Sequence, residues 1–282
     1  MKVRIITDST ADLTPEVHSR LDVVPLTICF GQMEYVDGIT ISHREFYEKL
    51  VESDVLPTTS QATPEAFCRA FHDALQDHDA VVAITLSSCL SGTCQSARIA
   101  AEEFPGRVFV VDSQSVAIGT GILAEYALSL AAQGMAAAEL AAELERRRKD
   151  VRVVAMLDTL EYLKKGGRIS AAAAIAGGLL SIKPVLSLEG GEIRMLGKAR
   201  GSRQANNLLV CEIEKAGGVD FGLPVLLGYT GLSDALLEKY KADSLHLWQE
   251  SRTPLRSTLI SSVVGTHAGP GAVAVAFFRK NK

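Results

Sequence analysis

The chain has 282 residues, 47% hydrophobic and 22% charged, which suggests two domains at ~150 residues each and excludes collagenous and disordered classes. Its 29 basic and 33 acidic residues leave a formal charge of −4, without the basic excess that sequence-independent nucleic-acid binding needs. The five cysteines, Cys29, Cys68, Cys89, Cys94 and Cys211, contain no C-x-x-C pair, which sets aside a zinc knuckle and a disulfide framework and fits a reducing cytosol.

Near the start an acidic residue stands at Asp8, too early for the apolar core of a signal peptide. The longest charge-free apolar stretch, Ile169 to Ile182, is too short to span a bilayer, so a soluble cytoplasmic protein is expected. Val3 to Thr7, Val24 to Phe30, Ala80 to Leu86 and Val108 to Val111 are short runs rich in β-branched residues. They do not alternate with polar residues, which is the pattern of strands buried on both faces. Helices fall between them. Ser42 with Glu45 is a capping box, Thr63 precedes a first-turn Pro64, and Phe67, Phe71 and Leu75 form one stripe. Alternating strands and helices predict an α/β domain with a parallel sheet.

Leu123 to Leu144 is Ala- and Leu-rich and ends in the charged run Glu145 to Asp150, where the domain boundary is placed: residues 1–150, then residues 151–282. In the second part Val185 to Leu188 and Ile193 to Leu196 flank Glu189-Gly190-Gly191-Glu192 and read as a hairpin. A helix at Ala205 to Lys215, a strand at Val225 to Tyr229, a helix at Asp234 to Lys241 and a last strand at Ala272 to Phe278 follow, predicting a mixed-sheet α/β domain.

Small hydroxyl residues gather at the carboxyl ends of the predicted strands: Asp8-Ser9-Thr10, Ser87-Ser88 and Asp112-Ser113. Open α/β sheets bind ligands there, although Ser, Thr and Asp also serve as caps and turns, the reading favoured for Asp8 and Asp112. Two clusters exceed what capping needs. Thr58 to Gln61 precedes the sufficient cap Thr63, and Ser87-Ser88-Cys89-Leu90-Ser91-Gly92-Thr93 leads into a helix. Neither contains Lys or Arg, so hydroxyls and N–H groups suit a carboxylate better than a multiply charged phosphate. Val264 to Gly271 reads as a Gly-rich turn holding His267, either a packed turn residue or part of a site. Thr159 to Ser170 is a helix ending at Gly166-Gly167, with Lys164 and Lys165 serving its dipole and Arg168 left without a local task.

Gly119-Thr120-Gly121-Ile122-Leu123-Ala124 matches G-x-G-x-x-A, but no acidic residue stands at a strand end about 20 residues on, so helix packing is the better reading. No P-loop, G-x-S-x-G, H-E-x-x-H or kinase set is present.

Asp8-Ser9-Thr10-Ala11-Asp12-Leu13, Thr59-Ser60-Gln61, Leu86-Ser87-Ser88 with Leu90-Ser91-Gly92-Thr93, Val111-Asp112-Ser113, Leu163 to Ser170, Lys183-Pro184-Val185 and Gly265 to Gly271 stand in an order and spacing that resemble the DegV family of bacterial fatty-acid-binding proteins. The resemblance implies a two-domain α/β protein that holds one long-chain fatty acid, such as palmitate, in a tunnel between the domains. It implies no cofactor, no metal and no catalysis by the chain itself, which would act as a monomer. Like the FakB-type subunit of a fatty acid kinase, the protein would present the carboxylate to a separate ATP-dependent kinase that makes the acyl phosphate. Carried over by position, Thr59 and Ser91 would bind the carboxylate with Ser60, Ser88 and His267 close by, and Arg168 and Arg200 would lie on the partner-facing surface. Ala62 stands where many members have Pro, and Cys94-Gln95 replaces an aromatic-Gln, both bearing on loop shape. The alternative is a hydrolase using a Ser with His267, or a nucleotide-dependent enzyme; the missing nucleophile elbow, P-loop and kinase set favour the carrier.

Overall fold

The apolar runs of the first half each enter a β-sheet in the computed structural model, which describes residues 2–169 and 182–280. The apolar stretch from Ala171 to Leu180 lies outside the described residues. In chain order the first half forms β1 (Val3–Asp8), α1 (Pro15–His18), β2 (Asp22–Val24), β3 (Thr27–Phe30), β4 (Met33–Val36), α2 (His43–Glu52), β5 (Thr58–Ser60), α3 (Pro64–Asp77), β6 (Ala80–Thr85), α4 (Thr93–Ala101), β7 (Val108–Asp112), α5 (Ile118–Ala132) and α6 (Ala137–Arg147). The second forms β8 (Val151–Met156), α7 (Glu161–Lys165), β9 (Ile182–Glu189), β10 (Glu192–Arg200), α8 (Gly201–Lys215), β11 (Leu226–Tyr229), α9 (Ala235–Asp243), a 3-10 turn at Leu245–Trp248, β12 (Ser257–Leu259), α10 (Ser262–Ala268) and β13 (Val273–Phe278).

Three sheets result. A parallel sheet runs β2-β1-β6-β7, a mixed sheet runs β10-β9-β8-β13-β11-β12, and a small antiparallel sheet runs β4-β3-β5. The fold is therefore α/β with one parallel and one mixed sheet, as the sequence predicts. The expected caps form: Glu45 N–H donates to Ser42 Oγ at 3.2 Å while Ser42 N–H donates to Glu45 Oε2 at 2.8 Å, and Ala66 N–H donates to Thr63 Oγ1 at 3.2 Å. The Glu189 to Glu192 turn joins β9 to β10 as a hairpin.

Two expectations, those for Val24 to Phe30 and for His267, are corrected, and two further segments receive their elements. Val24 to Phe30 is not one strand: Pro25, which has no N–H for a ladder, ends β2, and the chain passes into β3 of another sheet. Leu123 to Leu144 spans two helices, because Gly134 at φ +86 turns the chain between α5 and α6. Thr58 to Ser60 is a strand, β5, paired antiparallel to β3. His267 lies in a helix: Ser262 to Ala268 form α10, and the turn is confined to the residues after it.

Helix α5 explains how the sheets relate. Ile118, Ile122, Leu123, Ala127, Leu128 and Leu130 are all buried, an all-round burial that a surface helix would not have. One apolar cluster joins α5 to Ile5 and Ile84 of the parallel sheet and to Val153, Leu226 and Ala274 of the mixed sheet. The other face of the parallel sheet is covered by α3 and α4, and the other face of the mixed sheet by α8 and α9. Gly119 and Gly121, the dinucleotide-like glycines, lie in the first turn of α5. There a Cβ on Gly121 would collide with the backbone carbonyl of Asp12, and one on Gly119 with Ser115 and Val153. They serve close packing.

Among the described residues no helix is long and apolar enough to cross a membrane. Replacing a mid-helix Gly with Ala ordinarily stabilises by about 1 kcal/mol. Gly121→Ala is expected to reverse that sign and destabilise by about 1–3 kcal/mol, because the obstacle is backbone and cannot rotate away. Urea denaturation checks this, and a gain in stability would contradict the packing of α5 on the Asp12 loop.

Candidate functional site

In the order β2-β1-β6-β7 the connections leave β1 and β6 in opposite directions, so the switch point lies between their carboxyl ends. The hydroxyl-rich loops sit there, and each has a structural anchor. Asp8 is fully buried, yet it accepts hydrogen bonds from Thr10 N–H at 3.0 Å, Thr10 Oγ1 at 2.6 Å and Leu86 N–H at 2.7 Å, which tie the β1 loop to the β6 loop. Asp112 accepts from Ser88 Oγ at 2.5 Å and Gln114 N–H at 2.9 Å. Both aspartates act as turn residues.

A cavity of about 430 Å³ opens beside these loops. Its walls come from the mixed sheet and the loop after β6: Leu86 follows β6, Val153 and Ala155 lie on β8, Leu186 and Leu188 on β9, and Ala274 on β13. Val116 and Ala117, just before α5, also line it. Its polar lining is gathered around α10, β5 and the start of α4. Thr59 Oγ1 lies 2.9 Å from His267 Nε2. Ser91 Oγ lies 3.0 Å from Thr93 Oγ1 and accepts from Thr93 N–H at 3.2 Å. Ser60 is exposed at the rim. Gln61 Nε2 donates to Ser96 Oγ at 2.9 Å.

Arg168, which the resemblance places on the partner-facing surface, reaches the cavity from the loop after α7. It is half-buried in the cavity wall, with Nη1 donating to the Gly166 carbonyl at 2.7 Å and Nε to the Leu90 carbonyl at 3.2 Å. It also borders an adjoining groove with Cys89, Ile193 and Arg194. Ser88 is not brought to the cavity, since its hydroxyl is turned to Asp112. Arg200 is exposed at the end of β10, outside the lining, with its N–H donating to Gln204 Oε1 at 2.9 Å.

Among the described lining residues Arg168 is the only charged one and none is acidic. Burial, and after it the positive charge of Arg168, push His267 down to about 4, so the imidazole is neutral at neutral pH. His267 Nδ1 is buried without a hydrogen-bond partner among the described residues. The favoured tautomer therefore carries the proton on Nε2 and donates it to Thr59 Oγ1, because an unpaired N–H costs more than an unpaired lone pair. Thr59 can then turn its own O–H toward the cavity. Sequence reasoning missed the part played by Gln61, whose polar side chain gave no periodic signal. It also missed the carboxylates of Asp12 and Asp37 beneath α10. Burial pushes both up, while Asp12 Oδ1 accepts from Ser261 N–H at 2.7 Å. Among the described residues no group of three or more His, Cys, Asp or Glu side chains could hold a metal ion.

The model of the DegV family matches residues 2–280, and the chain belongs to that family. A DegV domain-containing protein of Deinococcus radiodurans is 37% identical over 282 residues, covering 98% of each chain. A fatty-acid-binding DegV family protein from Thermus thermophilus superposes with a TM-score of 0.88 at 34% identity, covering 99% of this chain and 100% of its own. The fatty acid kinase B3 protein of Streptococcus pneumoniae, loaded with linoleic acid, shares the fold with a TM-score of 0.87 at 22% identity, covering 99% of this chain and 100% of its own.

The pH dependence of His267 has a definite sign. An ordinary histidine titrates near 6.5, so as pH falls from about 6.5 toward 4 the unfolded chain takes up a proton that the folded site refuses, and stability drops. Asp8, Asp12 and Asp37, all pushed up by burial, act in the opposite direction. Measuring urea midpoints from pH 7 to 4 in the parent and in His267→Gln should show that the variant loses the destabilising part of the slope. Equal slopes would mean the ring is solvated.

Proposed function

We propose that this chain binds one long-chain fatty acid in the cavity and presents its carboxylate to a separate ATP-dependent kinase. The observation that carries this reading is the cavity's division of labour. Its walls are aliphatic, while among the described residues its polar lining offers hydroxyls, one arginine and no acidic group. A carboxylate is an acceptor only, so it matches O–H donors on Thr59 and Ser91 and the nearby Arg168 charge. The tail supplies affinity at about 0.8 kcal/mol per buried methylene, on the order of 10 kcal/mol for a palmitate tail before binding costs. The fatty acids bound by the Thermus relative support the ligand class.

In this reading residues 1–150 carry the head-group loops, and residues 151–282 supply much of the tail cover. The Streptococcus kinase component has the same fold, which supports a presenting role. Chemically, a carboxylate oxygen attacks the γ-phosphorus of ATP held by the partner, the bond to the β-phosphate oxygen breaks, and ADP leaves as the acyl phosphate forms. The chain's own part is to orient the carboxylate and shield the tail from water. The position of Arg168 at the boundary between cavity and groove supports a role toward both the carboxylate and the incoming phosphate. A hydrolase is less well served by this geometry. With a pKa of about 4 His267 is a weak base at neutral pH, and among the described residues its Nδ1 lacks the orienting carboxylate that a triad would supply.

Denaturing mass analysis of an organic extract of the purified protein should reveal a fatty acid. Titration with palmitate should then show the Thr59→Ala, Ser91→Ala double variant weakened at least tenfold with unchanged folding, since each unmet acceptor costs about 1–3 kcal/mol. A nucleotide in the extract, or undiminished palmitate affinity in the double variant, overturns the assignment.

A further inference from the structure

The two hydroxyl arms of the head-group site belong to different pieces of the fold. Thr59 lies on β5, a three-residue edge strand paired with β3, whereas Ser91 precedes α4, which packs on the parallel sheet. Each hydroxyl also has a local partner to fall back on, Thr59 with His267 and Ser91 with Thr93. The gap between the arms therefore has to be set by something that spans them.

Gln61 spans them. Its Nε2 donates to Ser96 Oγ in the first turn of α4 at 2.9 Å, and Ser96 is itself buried and donates its N–H to the Gly92 carbonyl at 3.0 Å. The amide lies so close to Gly92 that a Cβ there would collide with Gln61 Oε1. Gly92 has φ −72 and ψ 0, a conformation open to any residue, so the missing side chain is required by the approach of the amide and not by the backbone. Both residues line the cavity.

We infer that Gln61 is a positioning residue. Its amide braces β5 against the start of α4, sets the span between the Thr59 and Ser91 hydroxyls, and so gives the site its preference for a carboxylate over an uncharged head. The inference rests on the fatty-acid reading above. Without the brace the Thr59 and Ser91 arms are no longer held at one spacing, and the carboxylate loses a matched pair of donors while the tail keeps its walls. Gln61→Glu can still accept from the Ser96 hydroxyl, but it brings a negative charge to the anion's side of the cavity. Gly92→Ala pushes the amide off its seat, and once Gln61 is also alanine there is no amide left to displace.

The test is a set of titrations with palmitate and with hexadecanol, which has the same tail and a neutral head. The proteins are the parent, Gln61→Ala, Gln61→Glu, Gly92→Ala and the Gly92→Ala, Gln61→Ala pair, with thermal midpoints recorded for each. The preference for palmitate over hexadecanol should fall about tenfold in Gln61→Ala and in Gly92→Ala. It should fall further in Gln61→Glu, and the pair should match Gln61→Ala alone. An unchanged preference, equal losses for both ligands, or additive losses in the pair overturn the brace. A parent protein that binds palmitate no better than hexadecanol overturns the fatty-acid reading itself, whatever the variants do.

Discussion

The parallel and mixed sheets each turn an apolar face toward α5, and burying both faces on one helix holds them one helix layer apart. That spacing is inherited by the part of the layer the helix does not reach. Ahead of its first residue the chain turns sharply at Ala117, whose φ of 58 and ψ of −137 lie where a Cβ is disfavoured, a local strain of about 1–3 kcal/mol. Hydrogen bonds from Ser115 N–H to Ser113 Oγ at 3.0 Å and between Ser113 Oγ and Thr120 Oγ1 at 3.1 Å hold the turn in place. Val116 and Ala117 of this loop line the cavity, which opens beside the amino-terminal end of α5.

Charge is kept out of that space with some care. Asp8 and Asp112 stand at the same strand ends as the cavity-lining hydroxyls, yet their acceptors are consumed by neighbouring N–H and O–H donors, so neither faces the cavity. His267 stays neutral, and the guanidinium of Arg168 is steadied by two backbone carbonyls, with no carboxylate among the described residues to neutralise it. Its positive charge remains available to a ligand. An acidic residue in the lining would cancel it, and a second arginine would favour a more highly charged group.

Much of this architecture was legible in the residues. Runs such as Ala80 to Thr85 have no polar face to expose, so burial on both sides was their natural fate, and Gly190-Gly191 between β-rich segments specified the hairpin. The hydroxyl clusters were likewise visible, because Thr58 to Gln61 exceeded what a helix cap needs. What escaped were elements whose composition argues against them. β5 is built of Thr-Thr-Ser and is held by β3, and α10 contains Gly265, whose missing side chain admits Tyr47 and Phe46. Arg168 was seen to lack a local task, but the carbonyls that hold it belong partly to Leu90, distant in sequence, and such a contact leaves no local trace. Ser88 was expected close to a carboxylate bound by Ser91, and the position of Asp112, which turns its hydroxyl away, is not written in the local sequence.

The cavity is walled by strands of the mixed sheet, by β5 and by the loops that follow β1 and β6, which makes any occupant a structural member. A ligand that binds the folded chain and not the unfolded one adds about 2.7 kcal/mol of stability at one hundred times its dissociation constant. For a carrier this links cargo to lifespan. The loaded form opens less often and offers proteases fewer chances than the empty one, so the steady-state amount of the protein would itself report how much ligand the cell supplies.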